Sequence, residues 1–97
     1  MYATIRTAKI ASGTGAELAG RIEKSLLASI SSLPGFISYT TLATADDTFA
    51  TVTVFQNQAS VEESNRTAQE WVRQHAADLV LTPMQFVSGE VVVHSAS

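Results

Sequence analysis

The sequence has no cysteine, only two prolines and few charges. Without cysteine there is no disulfide, no thiolate nucleophile and no thiolate metal ligand. Charged residues make up 15% of the 97, below the usual quarter. A small domain so short of charge has little with which to wet its whole surface, which hints at self-association. The six basic residues are scattered and the formal net charge is −3. That balance offers no stripe for phosphates and argues against a nucleic-acid partner. No glycine-rich loop follows a strand, so nucleotide binding has no motif. The two histidines lie far apart, so no metal site is expected. No apolar run approaches the ~20 residues of a membrane span. The opening MYATIRTAKI alternates like a strand and lacks the apolar core of a signal peptide. The expectation is a cytoplasmic protein with no membrane partner. The length predicts one domain, residues 1–97, built as two layers.

What is present is clear periodicity. Tyr2 to Lys9 reads as a strand ending before a turn at Ser12-Gly13. Thr14-Gly-Ala-Glu17 has capping-box spacing and opens a helix with Leu18, Ile22, Leu26, Ser29, Ile30 and Leu33 on one face. Glu17 and Arg21 stand four apart on its outside. Pro34-Gly35 stops it. Phe36 to Ala43 and Phe49 to Gln56 read as strands joined by a polar hairpin loop, Thr44 to Thr48. Ser60-Val-Glu-Glu63 is a second capping box, opening a helix to about Val80. Met84 to His94 reads as the last strand, with Gly89 marking a bulge or bend. The order β-α-β-β-α-β with right-handed crossovers predicts a ferredoxin-like α+β sandwich, both helices on one face of an antiparallel four-stranded sheet.

The third and fourth strands carry almost no charge on either face. In the third, Phe49, Thr51, Thr53 and Phe55 alternate with Ala50, Val52 and Val54. Helices can cover only one side, so the other is expected to meet a second copy of the chain in a homodimer. The plainer alternative is a Thr-rich face that stays wet.

The second helix raises the chemical question. Wound at about 100° per residue, its charges fall outside. Its inner stripe of Val61, Ala68, Val72 and Leu79 is interrupted by Ser64, Asn65 and His75 and flanked by Trp71. Buried without partners, such groups cost about 1–3 kcal/mol each. They must pair with protein, water or a ligand in a pocket between helix and sheet. Imidazole is the commonest general base in proteins, so His75 is the expected proton acceptor. Asn65 and the Trp71 indole N–H are expected to stabilise negative charge on oxygen. Each also has a structural reading: a core His on a backbone carbonyl, a half-buried Trp at a contact, an Asn bonded to a loop.

Strand one, the capped helix, Leu33-Pro34-Gly35-Phe36, the phrase Val54-Phe55-Gln56-Asn57-Gln58-Ala59 and Glu62-Glu63-Ser64-Asn65 together resemble the antibiotic-biosynthesis-monooxygenase-like family of dimeric α/β barrels. The resemblance covers nearly the whole chain. It implies a homodimer whose two sheets close into a barrel. It also implies oxidation of a small aromatic or polyketide-like substrate by molecular oxygen, with no metal or flavin cofactor. A related branch of the family binds and degrades haem, commonly with an Asn on strand one; this strand has none. The family's polar inventory of Asn, Trp, Tyr and Arg implies catalytic roles for Asn65 and Trp71, with Tyr39 and Arg6 contacting substrate; the helix reading adds His75 as catalytic and Ser64 as a substrate contact. The alternative is a non-enzymatic, small-ligand-binding or stress-associated dimer.

Overall fold

The computed structural model describes residues 1–96. Its elements run β1 (Tyr2–Lys9), α1 (Gly15–Arg21), a π-helical turn (Ile22–Leu26), α2 (Leu27–Ser31), β2 (Phe36–Ala43), β3 (Thr48–Phe55), α3 (Gln58–His75) and β4 (Gln85–Glu90). The strands form one antiparallel sheet in the order β2-β3-β1-β4. This is the expected ferredoxin-like sandwich. β1 and β2 have the expected limits, and β3 starts and ends one residue early.

The first helix departs from expectation in its middle. α1, the π turn and α2 follow one another with helical dihedrals at both junctions. The reason lies in the spacing Leu18, Ile22, Leu26, Ile30. Four-residue steps overshoot a 3.6-residue turn and drift around an α-helix. A wider i→i+5 turn corrects the drift, and all four side chains are buried. Ser29, expected on the same face, is exposed.

Neither capping box forms. Thr14 donates its hydroxyl backward to Ala11 O at 2.6 Å and makes no cap to α1. α3 begins at Gln58, two residues before Ser60, with Asn57 as its N-cap: the Asn57 amide oxygen accepts the Ser60 N–H at 2.8 Å. Asn57 also donates to Pro34 O at 3.2 Å, and the Ser60 hydroxyl donates to the same carbonyl at 2.7 Å. The Pro34-Gly35 turn is thereby tied to the start of α3. Gly35 has φ +76°, and a Cβ there would lie 2.9 Å from Asn57 Nδ2.

α3 stops at His75 rather than near Val80. Arg21 takes the His75 carbonyl at 3.0 Å and Asp78 at 2.8 Å while also pairing with Glu17. The chain beyond turns back to β1, where Val80 bridges Ile10 and Leu81 N donates to Lys9 O. β4 is shorter than expected because its partner ends: Tyr2 opposes Glu90. Gly89 sits in regular register opposite Ala3, so the expected bulge is absent.

Phe49, Thr51, Thr53 and Phe55 are the strand face turned to the helices, and all are buried. Across the other face run Thr40, Val52, Ile5 and Val87 in register. In the single chain Ile5 is 42%, Leu42 52% and Val87 70% exposed. No helix among the described residues is long and apolar enough to cross a membrane.

The cap assignment is testable by urea denaturation. Asn57→Ala should cost about 1 kcal/mol, the usual loss of an N-cap. Glu63→Ala, which removes the carboxylate of the expected capping box, should stay within about 0.5 kcal/mol. The reverse ranking would place the helix start at Ser60.

Candidate functional site

The polar residues of α3 do converge with the sheet, around a residue of β1. Arg6 is only 4% exposed. Its position follows from strand alternation, which turns Thr4 and Arg6 inward and Ile5 outward. The Arg6 Nη1 donates to Asn65 Oδ1 at 3.1 Å and, more weakly, to Ser64 Oγ at 3.4 Å. Nη2 donates to Thr53 Oγ1 at 2.7 Å. Asn65 Oδ1 also accepts from Thr4 Oγ1 at 2.9 Å, while Asn65 Nδ2 donates to Ser88 Oγ at 3.2 Å. Ser88 closes the ring by donating to Thr4 Oγ1 at 2.8 Å. Ser64 passes its own proton to Val61 O at 2.7 Å. The guanidinium stands 5.8 Å from the centre of the Tyr39 ring, within cation–π range.

Every acceptor touching Arg6 is neutral. The ion pairs among the described residues join Lys9, Arg21, Arg66 and Arg73 to carboxylates and leave Arg6 out. Burial lowers the Arg6 pKa from its ordinary value, and Tyr39 opposes that shift. The direction records desolvation of a cation that no counter-ion offsets.

Beside Arg6 lies a cavity of about 40 Å³ between the helices and the sheet. Leu18, Ile22, Leu26, Phe49 and Trp71 supply much of its apolar wall, and Arg6, Tyr39 and Thr51 its polar groups. This volume is far below the ~150 Å³ that admits a benzene ring, so any aromatic ligand must displace side chains. The wall suggests where. Tyr39 and Ile22 also line an outer groove of about 380 Å³ with Glu23, Leu27 and Thr41. The half-buried Tyr39 ring is thus a partition between cavity and groove. Ile22, on the π turn, stands at the same wall, and such turns are frequent at functional sites.

The expected site residues separate into three groups. Arg6, Tyr39 and Trp71 line the cavity. Ser64 and Asn65 do not; they hold Arg6 from behind. Asn65 therefore does not face the cavity as expected, because both ends of its amide are taken by Thr4, Arg6 and Ser88. His75 is exposed, contrary to its expected inner placement. The Trp71 indole, one turn earlier, fills the inner position at 7% exposure. The imidazole lies outside it, tilted at 38° with ring centres 5.6 Å apart, in a surface groove with Ser25 and Gln74. The Trp71 N–H is also committed, donating to Ser25 Oγ at 3.0 Å, so the indole offers the cavity its ring rather than a donor.

Sequence reasoning missed Thr4, Thr53, Ser88 and Ser25. For Thr53 a signal existed: hydroxyls alternating with Phe on a buried strand face need partners. For Ser25, on the exposed side of its helix, there was none. Among the described residues no three His, Cys, Asp or Glu side chains converge as a metal site requires. Neither histidine lines the cavity, so it holds no imidazole for a haem iron.

Residues 1–76 match the family model described as antibiotic biosynthesis monooxygenase. Solved structures share the fold across the whole chain. One is a monooxygenase from the gene ActVA-Orf6 of Streptomyces coelicolor in complex with nanaomycin D, at 15% identity and TM-score 0.77, covering 99% of this chain and 91% of that one. Another is the haem-degrader MhuD of Mycobacterium tuberculosis with two haems in its active site, at 22% identity and TM-score 0.72, covering 99% and 100%. A third is the NE2512 protein of unknown function from Nitrosomonas europaea, at 19% identity and TM-score 0.76, covering 99% and 93%. No curated protein matches the chain in sequence.

Removing the partition should be measurable. Tyr39→Ala joins cavity to groove, so saturating benzene should raise the melting temperature of the variant more than that of the native chain. Equal shifts would mean that the Tyr39 ring does not limit the space.

Proposed function

The chain belongs to the antibiotic biosynthesis monooxygenase family, and from that premise we propose that it is a cofactor-independent oxygenase of a small aromatic, polyketide-like molecule. The observation that carries this reading is the apolar cavity between helices and sheet, walled by the Trp71 and Tyr39 rings and edged by the buried Arg6. Such a cleft with a few polar groups suits an aromatic ligand.

The chemistry balances without a bound cofactor. A hydroquinone-type substrate in its anionic form gives one electron to molecular oxygen. The resulting radicals join at a ring carbon as a peroxide. Loss of water then leaves one oxygen on the ring as a quinone carbonyl, and the second leaves as water with the two hydrogens the substrate gave up. Substrate is oxidised, oxygen is reduced, and no external reductant enters. The protein's share is to bind the ring, favour the anion and keep water out. Arg6 is the charged group placed for the second task. Trp71 and Tyr39 supply ring faces for the first. Ser64 and Asn65 act as positioning residues that fix the guanidinium. His75 is given no step, because it stands outside the cavity.

A homodimer through the open sheet face is part of the same proposal, as is a cytoplasmic location. The exposed row of Ile5, Val87 and Leu42 supports the dimer, since patches of this kind are usual at interfaces. One observation favours a second reading, that of a non-enzymatic ligand binder: no Asp, Glu or His stands in the cavity wall to take a proton.

Oxygen uptake with a naphthohydroquinone separates these readings. An oxygenase consumes oxygen in step with quinone formation, and Arg6→Gln lowers that rate by about 10²-fold, the scale of a lost charge-stabilising group. Uptake no faster than the uncatalysed reaction at any substrate level leaves the binder. The dimer has its own check by sedimentation. The native chain should run as a two-chain species, and Ile5→Glu with Val87→Glu should run as one. A native single-chain species would remove the interface.

A further inference from the structure

We infer that the cavity takes its ligand as a preformed anion, with the Arg6 guanidinium as the counter-ion. The ligand class is a planar apolar molecule carrying one oxygen already ionised at neutral pH, an aromatic carboxylate or an acidic phenol. The inference rests on the cavity being the binding site, as proposed above, and is independent of oxygen chemistry.

Three observations carry it. First, Arg6 is a buried cation whose contacts are all neutral: Ser64, Asn65, Thr53 and the Tyr39 ring. A buried charge left without a partner of opposite sign is strongly disfavoured. An anion arriving in the cavity supplies that partner. Second, the guanidinium, which lines the cavity, keeps unused donors. Its three hydrogen bonds leave from Nη1 and Nη2, and the group carries five N–H donors including that on Nε. Among the described residues no buried side-chain nitrogen or oxygen lacks a partner, so the uncommitted Nε is not sealed in the core. Third, the cavity wall has no Asp, Glu or His. A neutral ligand would find no strong base there, and a ligand already ionised needs none.

The overall charge argues that such selectivity would be local. The chain carries a net −3, so its general field repels a small anion rather than gathering it. Preference for an anion must come from a particular cation. The four cations that are ion-paired, Lys9, Arg21, Arg66 and Arg73, lie on the surface beside their own carboxylates. The fixed planar fork of Arg6 is also better suited than a flexible ammonium to a carboxylate or phenolate oxygen.

The experiment compares benzoate with benzyl alcohol, which match in shape and differ in charge, by calorimetric titration of the native chain at pH 7. Benzoate should bind about tenfold or more tightly than the alcohol, as a charge-assisted hydrogen bond in a dry site implies. In Arg6→Gln the two affinities should converge. Arg6→Lys, which keeps the charge without the fork, should retain part of the preference. Equal or stronger binding of the alcohol by the native chain overturns the inference, as does a benzoate preference that survives Arg6→Gln. Binding of neither probe overturns it as well. The native comparison decides the matter even if Arg6→Gln does not fold. Oxygen uptake is not read here, so the two proposals fail separately. An anion preference with no oxygenase activity leaves this inference standing alone. Alcohol binding with turnover but no benzoate preference leaves only the oxygenase.

Discussion

The structure is organised by a buried cation that no carboxylate answers. Arg6 enters the core from β1, and the hydroxyls and amide that receive it come from β3 and α3. Through Thr4 and Ser88 the same network reaches β4. One ring of side chains thus clamps the second helix across three adjacent strands. Each bond contributes on the order of 1 kcal/mol net. Their joint effect is chiefly geometric, because partly satisfied polar groups in a dry interior are costly and leave few alternative packings. The guanidinium is held still before any ligand arrives.

That constraint divides the layer between helices and sheet into two regions. Toward the start of α3 it is filled by the polar ring and by the Phe36–Phe55 edge-to-face pair, whose ring centres are 5.8 Å apart. Toward its end the packing loosens into the small cavity under Trp71. The π turn belongs to this second region. It aligns Leu18, Ile22, Leu26 and Ile30 on one stripe; Leu26 then lines the cavity, and Ile22 stands with Tyr39 at the wall between cavity and groove. Stability and access therefore meet at one helix turn. An unusual hydrogen-bond pattern lies beside the ring that separates the cavity from the outer groove.

The comparison of expectation with structure is most instructive on α3. Its wheel placed Ser64 and Asn65 toward the sheet, and both are there. It placed His75 at the same angle, and His75 is outside. A helical wheel gives direction around the axis and says nothing of what fills the space at each level along it. At the last turn that space goes to the larger Trp71 indole, and the imidazole lies tilted outside it. The caps failed for a related reason. Ser60 with Glu63 had the right spacing, but Asn57 competes three residues earlier and is held by the carbonyl of Pro34, a residue 23 positions away in sequence. Local spacing proposes a cap; a distant acceptor selects it.

The limits of β1 and β2, the element order, the outer placement of Glu17 and Arg21 and the inward turn of Ser64 and Asn65 were set by the sequence itself. Each depends on periodicity or on neighbours within a few residues. The wider turn in the first helix was written there too, in the strict four-residue spacing of its apolar side chains. Which residues line the cavity was decided only by the tertiary structure. Arg6 becomes a site residue through partners 47 to 59 residues away. Asn65 becomes its support because β1 and β4 claim both ends of the amide. Periodicity specifies which side of an element is buried, whereas the environment on that side depends on strand register and on side-chain volumes brought from elsewhere in the chain.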